Sequence, residues 1–123
     1  MRKGFNDSFH YQDPQYTVYK GKDYKDVYFN NYPSRRSASF MLYPEGKYQK
    51  LYLQVAATGS DIDEFIIEDS DKDVILKSTQ VSISDGMKTI EVDIAGSKEL
   101  YVHAEDVQEG GGVFIPLTTS YYK

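Results

Sequence analysis

The chain has no cysteine and no tryptophan, and only two of its 123 residues are histidine. Without cysteine there can be no disulfide, no thiolate metal site and no cysteine nucleophile. A chain of this length can bury enough surface to fold without such staples, so their absence leaves the compartment open. The two histidines, His10 and His103, show neither the H-x-x-x-H nor the H-E-x-x-H spacing of a zinc site. No G-x-S-x-G elbow occurs. The triple glycine Gly110–Gly112 leads into Val113-Phe114-Ile115, which reads as strand, whereas a phosphate cradle needs a glycine loop opening a helix. Many acids are present, but nothing singles out two of them as a general acid–base pair. With no nucleophile, metal cluster or acid–base pair, the chain is expected not to be an enzyme.

Long apolar runs are missing as well. No stretch could cross a membrane, and the opening MRKGFNDSFHYQ has two basic residues with no apolar run behind them, so it does not read as a signal peptide. Positive charge is scarce over most of the chain. Residues 1–36 carry seven Lys/Arg against four Asp/Glu, but residues 37–123 carry seven against fifteen. An acidic body disfavours nucleic acid, since attraction to phosphate supplies most of that affinity.

What is present is strand after strand. Lys50–Ala56, Glu64–Glu68, Val74–Lys77, Thr89–Ile94, Glu99–His103 and Val113–Thr118 are short segments rich in β-branched and aromatic residues. Several alternate cleanly: Leu51, Leu53 and Val55 fall on one face with Tyr52 and Gln54 on the other, and Ile90, Val92 and Ile94 oppose Glu91 and Asp93. Leu100 and Val102 repeat the pattern, with Tyr101 and His103 outward. Tyr16–Tyr19, Asp26–Phe29 and Ser37–Leu42 add three further strands, with turns at Gly21-Lys22-Asp23, Pro44-Glu45-Gly46, Ser84-Asp85-Gly86 and Ala95-Gly96-Ser97. Such spacing predicts one all-β domain, a two-sheet antiparallel β-sandwich, over residues 16–123, preceded by an arm or linker at 1–15 on which Phe5, Phe9 and Tyr11 are apolar enough to reach the body. The expected core holds Phe40, Leu42, Leu51, Leu53, Val55, Phe65, Ile67, Ile90, Val92, Ile94, Leu100, Val102 and Phe114.

Two patterns could carry function. The acids Asp61, Asp63, Glu64, Glu68, Asp69, Asp71 and Asp73 offer the oxygens that calcium prefers. Asp69, Asp71 and Asp73 match the start of an EF-hand loop, but Val74 stands where its glycine belongs and Gln80 where its bidentate acid belongs. A solvated hairpin tip is the competing reading there, and Asp61 with Asp63 is a second calcium candidate in a separate loop. The other pattern is tyrosine, present twelve times. Its flat apolar face and polar tip suit sugar stacking and protein interfaces alike, although tyrosine also simply covers sheets. Tyr32, Tyr43, Tyr48, Tyr52 and Tyr101 are expected on the surface or in loops.

Four segments then carry a resemblance: Gly21–Phe29, in which a glycine turn precedes a tyrosine-led strand; Gly46–Val55, with its Gly-Lys-Tyr opening; Asp61–Asp73 around Phe65-Ile66-Ile67-Glu68; and Thr89–Val102, with Val92-Asp93-Ile94-Ala95-Gly96 leading to Leu100. From Tyr24 to Val102 the chain resembles the bacterial novel carbohydrate-binding module group, of galactose-binding-like jelly-roll type. The resemblance implies a non-catalytic accessory module of a bacterial secreted or surface protein, extracellular or at the cell surface as part of a longer chain. Where that group carries a tryptophan late in the domain, this chain has Glu105–Glu109 and then glycines. Loop-borne ligand residues would be Asn31, Tyr32, Arg35, Arg36, Thr58, Asp61, Glu105 and Asp106, with Asp61 and Asp63 for calcium. The alternative is a protein–protein interaction or structural β-sandwich module that uses exposed tyrosines and binds no sugar.

Overall fold

The structure, a computed structural model, describes residues 7, 9–31, 38–107 and 110–123, with the backbone alone at Asp106. Its elements in order are β1 (His10–Tyr11), α1 (Pro14–Thr17), β2 (Val18–Tyr19), β3 (Lys22–Asp23), β4 (Val27–Asn30), β5 (Ala38–Leu42), β6 (Lys50–Thr58), β7 (Ile62–Asp69), β8 (Val74–Val81), β9 (Lys88–Asp93), β10 (Leu100–Val107), β11 (Gly112–Pro116) and β12 (Tyr121–Tyr122). A single 3₁₀ turn, Ile83–Asp85, lies between β8 and β9. The described part is all-β apart from these short turns, and every strand pair in it is antiparallel.

The larger sheet runs β1-β4-β11-β6-β12, with β9 also paired to β6. The smaller runs β5-β10-β7-β8, and β2-β3 is a separate hairpin. One apolar cluster draws on both larger sheets: Phe40 and Leu42 of β5, Leu51, Leu53 and Val55 of β6, Phe65 and Ile67 of β7, Ile90 and Val92 of β9, Ile94 just after it, and Leu100 and Val102 of β10. The alternation seen in the sequence is the cause. Each strand keeps one apolar face, and those faces contribute the residues of the shared cluster.

Three expectations are corrected. Tyr16–Tyr19 is not one strand. Asp13 accepts a hydrogen bond from the Gln15 amide (3.0 Å), and Pro14 occupies the first helical turn. That capping signal turns Pro14–Thr17 helical and leaves only Val18–Tyr19 extended. The turn that follows is Lys20-Gly21, both with positive φ (49° and 82°), as a two-residue hairpin requires, so Lys22–Asp23 is strand. Phe114 is buried, but on the other side of its sheet. All of β11 is buried, and it is Val113 and Ile115 that enter the main core.

Phe114 instead anchors a second cluster with Tyr24, Val27 and Ala56, against which Tyr11, Tyr19, Phe29 and Met87 pack. Tyr19 stacks on Phe114 at 5.4 Å, while Tyr24 and Phe29 meet it edge-on. Residues 11–25 therefore form a flap over part of the outer face of the larger sheet. Polar bonds close it: Thr17 donates to Asp23 (2.6 Å), the Tyr24 amide to the Thr17 carbonyl (2.9 Å), and Thr118 to the Tyr24 carbonyl (2.6 Å). The segment preceding α1 is tied down as well. Phe9 packs on the main core, β1 pairs with β4, and His10 bonds Asp26.

Candidate functional site

The residues expected in ligand loops are partly brought together. Thr58 ends β6 opposite Gly112, and Asn31 follows β4 at the same end of the sheet. A side chain at Gly112 would lie 2.6 Å from the Thr58 hydroxyl and 3.0 Å from the Asn31 Cα, so these backbones meet in close approach. Gly59 is still tighter, its missing Cβ falling 2.2 Å from the Gly110 carbonyl oxygen. The triple glycine thus joins two loops at close quarters. Tyr32, Arg35 and Arg36 lie outside the described residues.

The acids do other work. Asp61 accepts the Ile83 amide (2.8 Å), tying the β6–β7 loop to the 3₁₀ turn. Asp63 sits exposed within β7. Among the described residues no group of three or more His, Asp or Glu side chains is placed to hold a metal ion. Asp69 is a buried structural acid, accepting from the Ser97 hydroxyl (2.7 Å) and the Lys72 amide (3.0 Å). Burial works to raise its pKa, but the bonds from Ser97 and the Lys72 and Asp71 amides outweigh it and the net direction is down. Residues 70–73 are the hairpin turn between β7 and β8.

Glu105 and Asp106 are not in a loop, because β10 continues to Val107. Glu105 points along the outer face of the smaller sheet and bonds His103 Nδ1 (2.8 Å), while Glu68 bonds His103 Nε2 (2.6 Å). His103 is on the outward face, as its alternation requires, yet it is buried. Tyr101 stacks on it at 4.5 Å, and the two glutamates close its ends. Every ring atom able to form a hydrogen bond is therefore engaged within the protein.

The flap leaves the other part of the larger sheet's outer face open, and there the side chains form two cross-strand rows. In the first, Tyr121 of β12 stands opposite Tyr52 of β6, which stands opposite Glu91 of β9. The two tyrosine rings stack at 4.8 Å, within 16° of parallel. The Tyr52 hydroxyl donates to Glu91 Oε1 (3.2 Å), and Lys50 Nζ donates to the same oxygen (2.7 Å). The electrostatics follow from those bonds. Lys50 holds the Glu91 carboxyl below its usual range, Glu91 raises the Lys50 ammonium, and burial followed by the Glu91 contact raises the Tyr52 phenol. In the second row, Thr119 donates to Gln54 Oε1 (2.5 Å), and Gln54 Nε2 donates to Thr89 (3.2 Å). Tyr121 is 51% exposed although Tyr52 covers one of its faces. Its second face and its hydroxyl are what water sees.

The outward parity of Tyr52, Gln54, Thr89 and Glu91 is written in the alternation of β6 and β9. Tyr121 and Thr119 carry no such signal, since a two-residue strand has no period to read. Of the other tyrosines expected outside, Tyr43 is exposed, Tyr101 is half-buried on His103, and Tyr48 stacks on Tyr122 against the core. No helix among the described residues is long and apolar enough to cross a membrane. No family model matches the chain, and no curated protein matches it.

Proposed function

We propose that this chain is a non-catalytic carbohydrate-binding accessory module of a bacterial secreted or surface protein, a two-sheet jelly roll of galactose-binding-like type, and that the open face of its larger sheet holds the sugar. The observation that supports this reading is the half-exposed Tyr121 ring, backed by Tyr52, whose hydroxyl donates to the Glu91 carboxylate that Lys50 also bonds. An aromatic ring with one face covered and one face free suits the apolar face of a pyranose, and the neighbouring hydroxyl and amide row suits its hydroxyl groups. Because the bonds around the ring are made before any ligand arrives, little ordering cost is left for binding.

The test is retention on a glycan array, with calcium and then with chelator, followed by affinity measurement on the best glycan. Tyr121→Ala should weaken retention by about tenfold or more, equivalent to about 1.4 kcal/mol, and Tyr121→Phe should keep most of it. Unchanged binding in Tyr121→Ala would remove the site from this face. Loss in a Tyr32/Arg36 double variant instead would return the site to the loops. Calcium dependence would bring Asp61 and Asp63 into it. A second reading, a protein-interaction module, is favoured by β8, an edge strand among the described residues, where Val74 and Ile75 are 49% and 59% exposed. A concentration-dependent dimer with no glycan retention would put that reading first.

A further inference from the structure

We infer that Gln54 is the specificity-determining residue of the open face: it fixes the order of donors and acceptors along the polar row, and that order asks for a ligand of at least two linked sugar units. The inference rests on the carbohydrate reading above. Thr119 comes from the turn between β11 and β12, and that turn is pinned to β6. Buried Ser120 accepts the Gln54 backbone amide (2.9 Å) and donates to the Pro116 carbonyl (2.7 Å). The Thr119 hydroxyl is thus held at the Gln54 side chain before any ligand arrives.

The two contacts of that side chain tell its ends apart. O–H···O bonds run shorter than N–H···O bonds. The 2.5 Å contact to Thr119 is hydroxyl to carbonyl oxygen, and the 3.2 Å contact to Thr89 is amide to hydroxyl. The Thr119 proton is therefore used on Gln54, and its oxygen is left to accept. Thr89, which is exposed, has accepted one bond and keeps its own proton to donate, beside the second N–H of Gln54. One end of the row accepts and the other donates. Thr119 is two residues before Tyr121, about 7 Å at extended spacing. Thr89 lies two strand spacings from Thr119, about 10 Å away. A pyranose on the Tyr121 ring can give a hydroxyl proton to Thr119 but cannot also reach Thr89. The next unit of the chain meets that end, with an oxygen that accepts.

The experiment measures affinity for mono- through tetrasaccharides of the gluco, manno, galacto, xylo and galacturonate series, by affinity electrophoresis and calorimetry. In the series that binds, the disaccharide should exceed the monosaccharide by about fivefold or more. Thr89→Val keeps the shape of the side chain and removes the donor, and Gln54→Leu removes the group that orders both ends. Each should weaken disaccharide binding by about fivefold or more. Thr89→Val should add little on top of Gln54→Leu, because Gln54 acts through Thr89. Gln54→Leu should also flatten the discrimination among monodeoxy versions of the bound disaccharide, whereas a merely structural loss would weaken all of them alike. Additive losses, uniform weakening, unchanged binding in Gln54→Leu, or a monosaccharide bound as tightly as the disaccharide would overturn the inference. If Tyr121→Ala still removed binding in those cases, the sugar face would stand. No retention of any series by the parent chain would overturn both.

Discussion

Single residues in this protein are held by what they touch at close range, and glycine shows it first. Gly59 has φ +75° and faces the Gly110 carbonyl where a Cβ would fall at 2.2 Å. Because the obstacle is backbone, it cannot rotate away. Gly59→Ala should therefore cost about 1–3 kcal/mol, combining left-handed strain with displacement of the facing loop, as read by urea denaturation. Asp69 is the counterpart among the acids. It ties the β7–β8 turn to the loop after β9 through Ser97 and Lys72, so Asp69→Ala should cost about 1–3 kcal/mol by removing two hydrogen bonds to a charged acceptor. Its folded pKa lies below the ordinary 3.8. Its contribution is therefore complete above that value and is lost as pH falls through the lower folded value. The wild-type acid limb below about pH 4 should be steeper than that of Asp69→Ala, in which the group is absent. Superimposable acid limbs would show that Asp69 is not a linkage site.

At the scale of elements, the flap is the part the alternation rules do not describe. Residues 11–25 are short, partly helical and rich in turn-formers, and Tyr11, Tyr19 and Tyr24 pack in the cluster around Phe114 rather than in the main core. Tyr19 is half-buried on that ring. Tyr19→Ala should loosen the flap locally, so the Tyr24 amide, bonded to the Thr17 carbonyl, should exchange about tenfold faster or more while amides of β6 and β7 change less. Uniform acceleration throughout would mean that the flap and the sheets open as one unit. β8 poses a different problem. It is the edge of its sheet, and between its exposed Val74 and Ile75 and its C-terminal half stands Lys77. Further along, Lys88 Nζ donates to the Gln80 carbonyl (2.9 Å) and so covers part of that edge. A lysine on an open edge opposes strand addition because pairing would bury its charge.

For the whole molecule this becomes a statement about solution state. Lys77→Ile should make this edge more prone to strand addition, and sedimentation should show stronger concentration-dependent association than the parent chain shows. A sedimentation profile unchanged from the parent's would show that Lys77 is not what protects the edge. The same view places the open tyrosine face. The flap covers Ala56 on β6, and the rest of that strand's outer face, with β9 and β12, stays open.

Much of this was legible in the order of residues. Period-two alternation identified β6, β9 and β10 and assigned twelve of the thirteen expected core residues to the shared cluster, because a strand's two faces are set by its own sequence. It also put Tyr52, Gln54, Glu91 and Asp93 outward. It could not orient β11, where every residue is apolar enough to be buried and either face could have met the core. Nor could it show that Tyr121 would stack on Tyr52, that Thr119 would complete the Gln54 row, or that His103 would be enclosed by Glu68 and Glu105. Glu105 shares a strand face with His103 two residues away, but the other pairings join segments distant in sequence, from 35 residues for Glu68–His103 to 69 for Tyr52–Tyr121. Local period carries no information about them, and only the register of one strand against another decides which side chains become neighbours.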